Sequence, residues 1–144
     1  MSSKRSTVLW GSRGITEKEI ERLLAASSNE MKILLIFVVC AKVPLKALLN
    51  LQWRHIANDR LRCADPKSRS LRVVKIGRPL RVCLAVMIRG DPRDFVFPRY
   101  IGTLGYLDAH IEFLDALHKA ALQGPGRSLS TFNWTFGGCA ATGN

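Results

Sequence analysis

The residues of this chain best suited to chemistry are cations. Arg60, Arg62, Lys67, Arg69, Arg72, Lys75, Arg78 and Arg81 crowd one stretch, opposed there by Asp65 alone. An arginine fork can donate two parallel hydrogen bonds to phosphate oxygens, and lysine supplies a mobile point charge. Residues 42–99 hold fourteen Lys and Arg against four Asp and Glu, whereas residues 1–41 hold six against four and residues 100–144 two against three. Ten of the eleven net positive charges therefore lie in the middle of the chain. Basicity localised in this way attracts a polyanion, and counterion release drives its binding to nucleic acid. A solvated strand-and-turn surface is the alternative reading of the same residues.

Other reactive side chains lack the neighbours that would put them to use. His55, His110 and His118 form no metal-ligand spacing with Cys or carboxylates, and the last two share a polar segment with Asp108, Glu112 and Asp115, so no metal is expected. Cys40, Cys63, Cys83 and Cys139 lie far apart with no C-x-x-C pair, which suggests reduced thiols in a cytoplasmic protein. Cys40 and Cys83 sit in apolar runs with no adjacent base to activate them. Gly102, Gly105 and Gly137-Gly138 open no strand-to-helix loop followed by Lys and Ser or Thr, so neither a phosphate loop nor a cofactor or other small-molecule ligand is expected. Trp53 and Trp134 could stack on bases, although interior packing is the usual role for a residue such as Trp53. The longest apolar run, residues 33–41, is too short to span a bilayer, and no charged start, apolar core and cleavage site open the chain.

Positioning the cations falls to one domain, since 144 residues with 47% hydrophobic content can bury a single core. Residues 1–14 read as a flexible polar tail. Thr16-Glu17-Lys18-Glu19 fits a capping box that opens a helix, with Ile15 and Ile20 at the staple positions and Leu23 and Leu24 inward. Residues 30–41 are apolar nearly all round and predict a buried helix. Pro44 suits the first turn of a short helix reaching about residue 51. Asn58-Asp59 predicts a turn between two short strands, Asp65-Pro66-Lys67-Ser68 another, and residues 71–76 a β-branched strand.

Gly77-Arg78-Pro79 breaks the chain before a helix over 80–88, and residues 95–98 form a short buried segment. Residues 106–122 predict an amphipathic helix whose inward face is Leu107, Ile111, Leu114, Leu117 or His118, and Ala121, with Gly124 in the capping position. Residues 127–144 have no periodicity and read as irregular and poorly ordered, which leaves 15–126 as the folded domain. The expected class is α+β, mainly α: a helical bundle with a small antiparallel sheet.

Four stretches in order resemble the catalytic domain of tyrosine recombinases, the phage-integrase family. Residues 15–26, Ile-Thr-Glu-Lys-Glu-Ile-Glu-Arg-Leu-Leu-Ala-Ala, look like its opening helix. Leu48-Leu49-Asn50-Leu51-Gln52-Trp53-Arg54-His55-Ile56 resembles the leucine-rich helix that leads to a Trp and the first strand. Lys67-Ser68-Arg69-Ser70-Leu71-Arg72-Val73-Val74 looks like the hairpin bearing the family's catalytic lysine, and Phe95-Val96-Phe97-Pro98 like the segment before the second half of the site. The resemblance runs from about residue 15 to 122. It implies duplex DNA binding, DNA integration and recombination, and a mobile genetic element. The family's reaction uses a tyrosine nucleophile, two arginines and histidine-type residues around the phosphate, and a lysine that protonates the leaving oxygen.

This chain departs from that pattern at the residues that matter most. Counting back from Trp53 places Lys42-Val43-Pro44 where the family has Gly-Leu-Arg, and Ala47 where it has Glu. The His-x-x-Arg element has no counterpart in residues 129–136, and Tyr100 and Tyr106 come too early to be the nucleophile. Lys67 alone stands in a catalytic position, as a vestige, with Lys75 the competing register. The resemblance thus implies a truncated, degenerate and catalytically inactive DNA-binding protein, with Lys42, Arg54, Lys67, Arg69 and Arg72 facing the DNA backbone. Duplex DNA and an intact recombinase are the implied partners. The alternatives are a recombinase half completed by a partner chain, a decayed gene product, and a small basic RNA-binding protein.

Overall fold

The structure, a computed structural model, describes residues 8–10, 13–41, 43–64, 71–87 and 89–133. Two short strands open it: β1 (Val8–Trp10) pairs antiparallel with β2 (Arg13–Ile15), within a stretch whose sequence reads as a loose tail. The pairing ends on Ile15, which is fully buried and anchors the hairpin to the core. The capping box forms as the sequence predicts. The Thr16 amide donates to Glu19 Oε1 at 3.0 Å, the Glu19 amide donates to Thr16 Oγ1 at 3.2 Å, and α1 runs Glu17–Ala26.

Helix α2 (Asn29–Ala41) occupies the centre, burying Met31, Leu34, Leu35, Phe37, Val38 and Ala41. It packs against α1, against α3 (Leu45–Leu49), and against two later helices, α4 (Arg78–Val86) and α5 (Gly102–Lys119). A three-stranded antiparallel sheet of β3 (Ile56–Ala57), β4 (Arg60–Ala64) and β5 (Leu71–Lys75) follows α3. Asn58 and Asp59 both take positive φ, 53° and 59°, as a two-residue hairpin turn requires. Residues 91–96 are clipped beside the sheet: the Trp53 amide donates to Asp94 O at 3.1 Å, and the Val96 amide to Leu51 O at 2.9 Å. Pro79 lies inside the first turn of α4 and does not break the chain before it, because a first-turn residue needs no amide donor.

Helix α5 departs most from the sequence reading. It begins at Gly102, and its buried face is Gly105, Ala109, Phe113, Ala116 and Leu117. Of the expected inward residues Leu117 is buried, while Leu107, Ile111, Leu114 and Ala121 are exposed. The reason is close approach at the N-terminal end, where a Cβ on Gly105 would stand 2.4 Å from the Tyr100 carbonyl carbon. Only the small-residue face can seat the helix at that distance. The helix also stops earlier than expected. Ala121, not Gly124, adopts the left-handed conformation (φ 58°), and the Leu122 amide donates to Leu117 O at 2.8 Å. Leu117 and Leu122 are both buried, so closing the helix there brings a second leucine into the core.

Beyond that turn the chain is again built into the core. Arg127 is buried; its guanidinium donates to Leu122 O at 2.7 Å and to Gly14 O at 3.1 Å. A short helix, α6 (Leu129–Asn133), lies in the stretch whose sequence reads as irregular, and buries Leu129 and Phe132. Ser128 caps it, with its hydroxyl accepting from the Thr131 amide at 3.3 Å. Asn133 then clamps one stretch of backbone far away in sequence: Oδ1 accepts from the Leu45 amide at 2.9 Å, and Nδ2 donates to Val43 O at 3.0 Å.

Two substitutions test this packing. Gly105→Ala forces α5 off Tyr100 and should cost about 2 kcal/mol, read as a fall in melting temperature of roughly 6–8 °C; an unchanged melting temperature would refute the close approach. Asn133→Ala leaves a buried amide and a buried carbonyl without partners, at about 1–3 kcal/mol each. Asn133→Asp keeps the acceptor for Leu45 but buries a carboxylate oxygen against the Val43 carbonyl, so in a urea titration at neutral pH it should lose at least as much. A loss under about 0.5 kcal/mol for either variant would count against the bridge.

Candidate nucleic-acid interface

Strand register decides which cations can act together. Arg60 pairs with Lys75, Leu61 with Val74, Arg62 with Val73 and Cys63 with Arg72. Side chains alternate between faces along a strand. Leu61 and Cys63 are buried, so Val74 and Arg72 share their inward face and are half-buried. Arg60, Arg62 and Lys75 project from the opposite face and are exposed, together with Leu71 and Val73. Arg60 stands directly across from Lys75, a like-charge pair that weakens a sheet unless a counter-charge lies over it. Among the described residues no carboxylate forms an ion pair with Arg60, Arg62 or Lys75; the nearby Asp59 is 3.9 Å from Arg81.

The expected DNA-facing residues scatter against this geometry. Arg72 lies on the inward face, a parity that its alternation with Leu71 and Val73 could have disclosed. Arg54 is exposed in the 3-10 turn Trp53–His55, with its Nε donating to Gln52 Oε1 at 2.7 Å. Lys42, Lys67 and Arg69 lie outside the described residues. Lys75, the competing hairpin lysine, ends β5 beside the Asn58-Asp59 turn, at the far end of the strand from the connection that holds Lys67. Arg60 and Arg62 belong to the outward cluster, though the sequence reading places them only within the basic stripe. Arg89 is tied down: it donates to Trp53 O at 3.2 Å and Ile56 O at 3.0 Å, and lies over the Trp53 ring.

A second region joins the stretch around Pro44 to α6. These are the two places where the resemblance would put the first arginine and the His-x-x-Arg element, and Asn133 fastens one to the other. Lys46 is exposed there, its Nζ 5.8 Å from the Tyr106 ring centre, beside an open cavity of about 390 Å³ that Asn50 and Thr103 also line. His110 packs against Tyr106 with the ring planes tilted by 55°, and sets its Nε2 3.0 Å from Ser130 Oγ.

Two potential nucleophiles, Tyr100 and Cys83, are disarmed by their surroundings. Tyr100 is fully buried and donates to Glu112 Oε1 at 2.7 Å. Burial first, and then Glu112, push its hydroxyl far above the ordinary phenol value, so it stays protonated. Glu112 is further engaged by Arg99. Burial also pushes the Cys83 thiol up, away from the reactive thiolate. His55 is held below its usual value by burial and by Arg54, and its Nδ1 accepts from the Gln52 amide at 3.0 Å. Among the described residues no group of His, Cys, Asp and Glu is arranged to hold a metal ion, and no helix is long and apolar enough to cross a membrane.

No family model and no curated protein matches this sequence. Solved structures do match its fold. The lambda integrase catalytic core aligns with a TM-score of 0.65 at 12% identity, covering 89% of this chain and 79% of that one. Lambda integrase (residues 75–356) bound to DNA aligns at 0.61 and 13% identity, covering 92% of this chain and 50% of that one. A lambda integrase tetramer bound to a Holliday junction gives 0.65 and 13%, with 92% and 40% covered. The chain therefore spans about half the length of the DNA-bound integrase. Twelve to fourteen per cent identity over nine-tenths of the chain shows architecture alone, and that architecture resembles the lambda integrase catalytic core.

Proposed function

We propose that this chain holds duplex DNA through the outward face of its sheet, as an integrase-like module that does not cut. The observation that carries the reading is the facing pair Arg60 and Lys75, with Arg62 two pairings further on, among which no carboxylate sits in the described residues. A phosphate backbone supplies the missing counter-charge, and releasing its condensed counterions drives association. Lys42, Arg54, Lys67 and Arg69 extend the same contact, with Lys67 in the vestigial place of the leaving-group acid. The integrase fold supports duplex DNA over RNA as the polyanion, since lambda integrase of this fold has been solved bound to DNA.

Cutting requires groups that this chain does not offer at the expected places. Pro44 stands where the resemblance puts an arginine and has no donor for a phosphate oxygen. Asn133 lies in the stretch expected to hold His-x-x-Arg, and its amide is spent on the Val43 and Leu45 backbone. Such a module would occupy recombination sites and compete with an intact recombinase for them.

The test is fluorescence anisotropy on a duplex at two or more salt concentrations. Reversing Arg60, Arg62 and Lys75 to Glu should flatten the slope of log K against log salt by about 2.7, roughly 0.9 for each cation removed. Arg72→Gln, on the inward face, should leave that slope unchanged. Binding that ignores the triple reversal would sink the interface. In the same preparation, nicked circles accumulating from supercoiled plasmid above a protein-free control would sink the non-cutting half of the reading.

A further inference from the structure

Exposed large apolar side chains are not spread evenly over the described surface. Leu104, Leu107, Ile111 and Leu114, each 48–77% exposed, fall on α5 at spacings of three, four and three. That is the spacing of a coiled-coil seam, and it produces one continuous stripe about 15 Å long. Isolated exposed leucines are ordinary, whereas a contiguous apolar stripe marks a contact surface. Asp108, four residues from Leu104 and three from Ile111, and Asp115, four residues from Ile111 and 3.0 Å from Lys119, are exposed beside it on the helix surface. This is the acidic part of an otherwise basic chain, since residues 100–144 hold two Lys and Arg against three Asp and Glu.

A complementary surface exists on the same molecule. On α4, Val82 and Val86 are 57% and 74% exposed and stand four residues apart, in line with Arg78, while Arg81 and Ala85 lie alongside. At nine residues, α4 is about 13 Å long, close to the length of the α5 stripe. Like faces cannot pair well: two α5 stripes would bring aspartates together, and two α4 faces arginines. Two copies that each carry a net +11 also repel at long range, so approach is favoured only where an acidic face meets a basic one.

We propose that the α5 stripe is a docking surface for α4 of a second copy of this chain. Leu107 and Ile111 pack against Val82 and Val86, with Asp108 and Asp115 set against Arg78 and Arg81. The contact joins two different surfaces, so each copy retains one unused face at either end and assembly continues as an open row or closes as a ring. Two short helices bury less than the roughly 1,200 Å² of a stable complex, which makes the association weak and concentration-dependent. It needs no DNA and stands independently of the DNA-binding reading.

Analytical ultracentrifugation of the full chain without nucleic acid tests this. The unmodified chain should grow past a dimer as its concentration rises into the hundreds of micromolar. Leu107→Glu with Ile111→Glu, and separately Val82→Glu with Val86→Glu, should each weaken association at least tenfold, and unchanged melting curves would show that both still fold. An equimolar mixture of the two variants should recover a 1:1 dimer that grows no further, because each contributes its intact face. Asp108→Arg and Arg78→Glu supply a gentler second pair, each weakening self-association and the mixture restoring it. An unmodified chain that stays monomeric throughout, or mixtures that fail to complement, would overturn the proposal. So would association that survives either double substitution.

Discussion

A helix that is apolar on every side stays dry only if other elements surround it, and α2 imposes that requirement on the whole chain. With Met31, Leu34, Leu35, Phe37 and Val38 buried and Ile33, Ile36 and Val39 packed partly against the core, it leaves water only one half-buried flank. Helices α1, α3, α4 and α5 supply its surroundings, and Phe97 reaches Phe37 edge to face at 5.2 Å between ring centres. Burying this helix therefore draws on segments from Glu17 to Lys119. The sheet is left outside that shell, with one face inward and the other open to solvent, which is why the cations can collect there.

Much of this was readable before any coordinates. The capping box, the Asn58-Asp59 turn and the β-branched strand depend on neighbours within four residues, and all three form. The order of elements that carries the resemblance to tyrosine recombinases also survives as an integrase-like fold. Local chemistry fails where two solutions satisfy the same period. Along α5, one stripe of large residues and one of smaller ones both repeat at helical spacing, and hydropathy favours the large. Packing favours the small, because the backbone at Tyr100 leaves no room for a side chain at Gly105. Likewise, the local Ser128 cap is a weak signal for a helix over residues 129–133, and its Asn133 is held by partners about ninety residues earlier in the chain.

The candidate site was legible in composition and not in geometry. A count of Lys and Arg finds the basic stripe, but counting cannot divide a strand into two faces. Register does: it sets Arg72 with Cys63 and leaves Arg60, Arg62 and Lys75 together outside. Pairing Arg60 with Lys75 concentrates charge at the cost of the hairpin's own stability. A surface tuned only for solubility would intersperse the two signs.

The buried guanidinium of Arg127 carries a temporal consequence. It reaches Gly14 across 113 residues of chain, and Arg22 reaches the Ala120 carbonyl across 98. At about 5–20 residues per second, a ribosome makes Arg127 roughly 6–23 s after Gly14. For that interval the opening hairpin and the first helix exist without the contacts that close over them. The opening hairpin must wait for Arg127 before that contact can form, and the apolar helix α2 is made well before α5, which packs against it.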